Sequence, residues 1–317
     1  MNRKELLSVG AAVGLQGAIR PLRSSAEPTP MSITVGALPS TSAVNLYYGV
    51  KQKDFERVGL NVSIQPMPNG AAALAAVVGG SINIALANVL SLAQAYLRGI
   101  PVRVIASSGS ENPESANGVQ LLVAPDSRIA SAHDLVGKVV GVTSVHDLLT
   151  VAISSWLERN GVDRSTVSYI ELPPSAMYNA LKMGRVAAIA LFDPFLSAAK
   201  KQGARVLAQP YDGIAPRFTV TAWFGVEPWI AANREAALRF ASVLDRLAPY
   251  TNTHYEELVP LVSSYTKVPE DMLRTMSHPT VLSLKAAPIQ PALDAALKYH
   301  ELDRAVDARN IVLPGAV

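Results

Sequence analysis

The chain spells one structural unit twice, and this duplication restricts its possible folds more than any single motif does. Residues 33–37 (ITVGA) read as a strand, and Pro39, Ser40, Thr41 and Ser42 as a turn rich in helix-capping side chains. A helix then runs to about residue 58 and closes in ERVGL. Residues 139–142 (VVGV), the polar pair Thr143 and Ser144, and a helix over about 145–160 closing in ERNGV repeat the pattern. The order continues in both copies: VSIQPMPNGAAAL (62–74) is answered by VSYIELPPSAMYNAL (167–181), IALAN (84–88) by IALFD (189–193), and VRVIA (102–106) by ARVLA (204–208). The register slips by about a residue in places, as loops between fixed elements allow.

The second copy shows the local logic. Ser144 with Asp147 three residues on matches a capping box, and Gly161 supplies the stop. Leu149, Ala152, Ile153 and Trp156 fall at i, i+3, i+4 and i+7, which predicts one buried helix face. The strand's carboxyl end and the free N–H groups of the helix meet at one place, which suits a small polar or anionic group.

Strands and helices alternating at this length predict an α/β chain of two similar parallel lobes with helices on both faces, and a ligand in the cleft between them. Residues 119–123 and 218–224 read as two parallel crossings, a hinge about which the lobes close. From 228 to about 306 the pattern is mostly helical, broken by Pro249, Pro260, Pro269, Pro279, Pro288 and Pro291, and is assigned to the first lobe. The predicted division places 31–121 and 222–317 in lobe 1 and 122–221 in lobe 2.

With 317 residues, 49% of them hydrophobic and 17% charged, a substantial core is expected rather than disorder. No cysteine is present, which removes thiol nucleophiles, disulfides and Cys-ligated metal centres together. The formal charge of +3 comes from residues 1–26, where Arg3, Lys4, Arg20 and Arg23 outweigh Glu5; basic and acidic residues balance in the remainder. That leaves no basic surplus for a nucleic-acid partner. The same segment reads as an export signal: a basic MNRK, a modest apolar run over 6–18, and small residues Ser24, Ser25 and Ala26. An exported, monomeric protein without a membrane-spanning helix is expected.

Residues 33–88 are similar to the solute-binding proteins of ABC importers for taurine, alkanesulfonates, nitrate and the thiamine pyrimidine precursor. SAHDLVGKVVGV (131–142), with Asp134, Leu135, Gly137 and Lys138, resembles that family's second-lobe opening. ALKMGRVAAIALFDPF (180–195) resembles its Ala-x-Leu helix, glycine, strand and acid-Pro-aromatic turn. The resemblance covers about two-thirds of the chain. It implies a type II periplasmic-binding-protein fold, a ligand in the interlobe cleft and delivery to a membrane permease. Asn83 and Ala187 depart from it, standing where the family often carries carboxylates.

By position in the duplicated unit, the ligand-binding candidates are Ser40, Thr41, Ser42, Asn69, Gly70 and Asn88 in the first lobe, and Thr143, Ser144, His146, Tyr178 and Asp193 in the second. Hydroxyls, amides and free N–H groups at helix starts hold an oxyanion without a formal countercharge, although each is also an ordinary cap. Arg217 is placed to clamp a carboxylate or sulfonate, and Trp223 and Tyr178 either stack on a ring or belong to the core. These donors point to a small organic anion; an N-heterocycle is the alternative, favoured if His146, Asp193 and Tyr178 share one pocket. Catalysis is not expected, an enzyme on the same fold being the remaining alternative. The five histidines lack metal-ligand spacing, no cofactor motif or nucleophile elbow occurs, and desulfinases that resemble this family depend on a cysteine absent here.

Overall fold

The computed structural model describes residues 30–112, 118–276, 278 and 280–316; the signal expected over 1–26 lies outside them. Twelve strands occur among the described residues: β1 (Met31–Ala37), β2 (Leu60–Pro66), β3 (Ile84–Asn88), β4 (Val102–Ser107), β5 (Ser110–Glu111), β6 (Val119–Val123), β7 (Val139–Val142), β8 (Ser168–Glu171), β9 (Ala188–Phe192), β10 (Arg205–Ala208), β11 (Phe218–Thr219) and β12 (Thr221–Val226). The helices are α1 (Val44–Lys51), α2 (Gly70–Val78), α3 (Val89–Leu97), α4 (Leu148–Arg159), α5 (Pro174–Lys182), α6 (Phe195–Lys201), α7 (Glu227–Ala232), α8 (Arg234–Thr253), α9 (Tyr255–Thr266), α10 (Glu270–Leu273) and α11 (Ala286–Lys298).

The duplication is real in three dimensions. One sheet has the order β2-β1-β3-β12-β4 and the other β8-β7-β9-β6-β10, the same arrangement written with the second set of strands. β1 lies parallel to β2 and β3, and β7 parallel to β8 and β9, as strands joined through crossover helices must. Helices cover both faces, so β3 and β9 are buried residue after residue rather than alternately.

Neither sheet is purely parallel, which corrects the expectation. β12 runs antiparallel to β3 and β4, and β6 antiparallel to β9 and β10. The slot beside the third strand of each sheet is filled by a segment arriving from, or bound for, the other lobe. The crossings themselves are β5 and β11, an antiparallel pair with Glu111 opposite Phe218 and Ser110 opposite Thr219. Residues 119–123, expected as a crossing, are β6 and lie wholly inside the second sheet, so a boundary at 121/122 cuts that strand.

Two further readings change. Helix α4 begins at Leu148, with Asp147 as its cap. The Asp147 carboxylate accepts from Leu149 N at 2.9 Å and Thr150 N at 3.1 Å, and the Thr150 hydroxyl accepts from Asp147 N at 3.3 Å. The capping box is therefore Asp147–Thr150, three residues later than expected, because residues 143–146 form a loop held by Val145 N donating to Glu171 Oε1 at 2.8 Å. The C-terminal helices also do more than cover the first lobe. Helix α11 packs on α3 and, across the lobes, on α4. Lys298 and Tyr299 both donate to Glu158 Oε2, at 2.5 and 2.9 Å, beside that contact. This second cover explains why α4 is buried on most of its circumference and not on one stripe.

On its remaining side α4 meets the turn Pro210–Gly213. Ser155 Oγ donates to Gly213 O at 2.5 Å, and a Cβ on Gly213 would lie 2.7 Å from Trp156 N. Backbone this close cannot yield as a flexible side chain would. Gly213→Ala is expected to destabilise the protein by about 1–3 kcal/mol in urea unfolding, and an unchanged midpoint would contradict this packing.

Candidate functional site

The strand ends, the crossing ribbon and the helical C-terminal region enclose a cavity of about 420 Å³. This is within the size range of small-molecule sites. The first lobe contributes Leu38–Ser42 and Pro68, the second contributes Phe192, Asp193, Pro194, Phe195 and Tyr211, and β5 with its surroundings forms the back. Thr266, Val268, Leu273 and Met276 close one side. The walls are thus mainly apolar with a few polar groups set among them.

Two of those polar groups, Ser110 and Glu111, belong to the crossing ribbon, and Thr219 lies on the same ribbon outside the lining. Glu111 is only 4% exposed, and its Oε1 has no hydrogen-bond partner. The hydroxyls of Ser110 and Thr219, paired across the same ribbon, are also buried and unpartnered. Buried polar groups are rarely left so in native proteins unless water, ion or ligand completes them. Burial pushes the Glu111 carboxyl up to about 7, with the nearby Asp212 charge adding to the rise. The Tyr211 phenol is raised far above its ordinary range, mainly by burial and then by Asp147 and Glu111. No Lys, Arg or His is among the described residues that line the cavity.

Of the residues singled out in the sequence, Ser40, Thr41, Ser42 and Asp193 line this cavity. Asp193 also holds the start of α6, its Oδ1 accepting from Ser197 N at 2.9 Å. The others lie outside the lining. Asn69 and Asn88 cap α2 and α3, accepting from Ala72 N at 2.8 Å and Ser91 N at 2.7 Å, and Gly70 opens α2. Thr143 Oγ1 donates to the Asp147 carboxylate at 3.4 Å, and Ser144 Oγ accepts from His146 N at 3.3 Å. The His146 ring lies out in solvent, 3.2 Å from Glu301. Tyr178 uses its hydroxyl on Gln202 O at 2.6 Å. Trp223 is fully buried in the first lobe, its ring edge-on to Phe240 at 6.2 Å. Arg217 precedes β11 and does not line the cavity.

Sequence reasoning missed Glu111, Ser110, Phe195, Tyr211 and the helical wall. Only one signal was available for Glu111, a carboxylate in the short polar run just before the chain enters the second lobe. The prolines of the C-terminal region masked the wall contributed by 266–276.

A carboxyl raised by burial makes the fold less stable once it must ionise. The Glu111 contribution is intact below its unfolded value near 4.5 and is lost as pH rises through about 7. Glu111→Gln is therefore expected to gain on the wild type between pH ~5 and ~8, by up to about 3 kcal/mol in ligand-free denaturation curves. Parallel pH profiles for the two proteins would refute this.

Comparison with known proteins agrees with the topology. A curated relative from Brachyspira hyodysenteriae, described as a putative ABC transporter periplasmic binding protein, is 25% identical over 200 residues. The match spans 58% of this chain and only 56% of that relative's length. The periplasmic aliphatic sulphonate binding protein SsuA from Escherichia coli superposes with a TM-score of 0.74 at 19% identity, over 89% of this chain and 97% of that one. The desulfurization enzyme DSZB shares the fold too, with a TM-score of 0.68 at 13% identity over 90% and 97% of the two chains. Residues 40–257 match the family described as NMT1/THI5 like, and since they make up more than half of the chain, the protein belongs to that family.

Proposed function

We propose that this chain is the periplasmic solute-binding component of an ABC importer, which captures a small organic molecule between its lobes and presents the closed form to a membrane permease. The observation that carries this reading is the cavity at the crossing ribbon, lined from both lobes at once. A ligand touching both walls favours the closed arrangement by its differential contacts, and no covalent step is needed. The relative's description and the fold shared with a sulphonate-binding protein support the role. Among the described residues no helix is long and apolar enough to cross a membrane.

The lining alters the expected cargo. Donor-rich turns and Arg217 point in the sequence to a small organic anion, yet Arg217 is outside the lining whereas Glu111 and Asp193 are part of it. The condition set for an N-heterocycle is met only by Asp193, since His146 and Tyr178 are elsewhere. The polar inventory that remains, hydroxyls and carboxyls, suits an uncharged or cationic solute with an apolar body. The protein is read as a binder and not an enzyme.

A thermal-shift screen of residues 27–317 tests this, with sulfonates, aromatic acids, nitrate, pyrimidines and organic amines. A true ligand at ~100 times its Kd stabilises by about 2.7 kcal/mol. Thr41→Phe, which narrows the cavity, is expected to abolish the shift while melting near the wild type. A shift that persists in Thr41→Phe would place the site elsewhere, and product formed from any solute would make the protein an enzyme.

A further inference from the structure

We infer that Glu111 decides which solutes the cleft accepts, and that the solute offers it a protonated nitrogen group: a small organic cation with a flat apolar body. The inference rests on the cleft being the binding site and deepens that reading. Glu111 is buried, lines the cavity and has one enclosed oxygen without a hydrogen-bond partner, so the ribbon places an incompletely satisfied carboxyl at the cavity where both lobes meet. Nothing basic in the described lining neutralises it, and Asp193 faces the same space from the second lobe. Around Glu111 stand Tyr211 and Asp212 on the turn Pro210–Gly213, with Asp147 beyond Tyr211. The paired strand opposite contributes Phe218 and Thr219, which carry no charge, and Arg217 directly precedes it.

In such surroundings an anionic solute meets like charge, and a neutral one leaves the carboxylate unbalanced. A cation removes both costs. An amidinium-type edge would bring N–H donors to the Glu111 carboxylate, while Val119, Phe192, Phe195, Leu273 and Met276 receive an apolar ring. Cation binding requires the ionised carboxyl, and the free carboxyl titrates at about 7. Protons therefore compete with the solute, and affinity falls on acidification.

The test is titration calorimetry of the full chain with three ring-matched probes, benzamidine, benzamide and benzoate. Benzamidine stays protonated through neutral pH, so changes in its binding report on the protein. Its Kd is expected to be about tenfold weaker at pH ~6 than at pH ~8, with benzamide and benzoate each bound at least about tenfold more weakly at pH ~8. Glu111→Gln is expected to lose both the preference for benzamidine and the pH dependence, and its melting curve at pH ~6 reports whether it is folded. The wild-type pH profile decides the matter even if that variant does not fold.

Preference for benzoate, a flat pH profile, unchanged benzamidine binding by a folded Glu111→Gln, or no binding of any probe overturns the inference. Benzoate or benzamide binding that Thr41→Phe abolishes would sink the cation while leaving the cleft as the binding site. A probe bound equally well by Thr41→Phe would instead remove the cleft reading on which the inference rests.

Discussion

Each lobe is completed by a strand that belongs, in chain order, to the passage between lobes. β6 enters the second sheet as soon as the chain has crossed, and β12 fills the equivalent slot of the first sheet on its return. A sheet lacking that strand would expose the ladder edges of its third and fourth strands, each a row of unpaired N–H and C=O groups. The two lobes thus depend on the same crossing, and the short β5–β11 ribbon inherits its position from the two antiparallel strands that flank it.

The site follows from that constraint. Parallel strands in both lobes end toward the crossing, and their carboxyl-end turns supply Ser40–Ser42 on one side and Phe192–Phe195 on the other. The ribbon runs behind them and brings Ser110, Glu111 and Thr219 into burial without partners. A cost of this kind is tolerated at functional sites, where a bound molecule completes the hydrogen bonds. The same ribbon that crosses between the lobes also carries the carboxyl that we propose a solute meets.

The C-terminal region modifies the two-lobe picture. Helix α11 packs on both lobes, and the Lys298 and Tyr299 contacts with Glu158 lie on the side formed by α4. Helices α9 and α10 and the loop between them wall the cavity instead of merely backing the first lobe. Aromatic stacking fixes α9 against the first lobe: Tyr265 lies on Tyr47 with ring centroids 3.7 Å apart, and its hydroxyl donates to Ser40 O at 3.1 Å. The carbonyl used is that of a cavity-lining residue, so the position of the first-lobe turn depends on a helix far along the chain.

Local chemistry alone determined much of this protein. The duplicated strand–turn–helix order, the asparagine caps at Asn69 and Asn88, and the turns holding Ser40–Ser42 and Asp193 are written within a few residues of where they act. Period and capping depend on near neighbours, which is why they were legible. Other features only the tertiary structure decided. Glu111 matters because β5 pairs with a strand more than a hundred residues away, and no pattern in SSGSEN announces that partner. For Trp223 the sequence leaves ring stacking and core burial both open, and β12, inserted between two strands and buried on both faces, puts it in the core. Chain position alone points to Arg217 and His146, and the fold leaves both outside the cavity lining, with the His146 ring in solvent beside Glu301. Residue type and spacing encode the elements; which polar groups end up facing one another across a cleft is a property of how those elements are brought together.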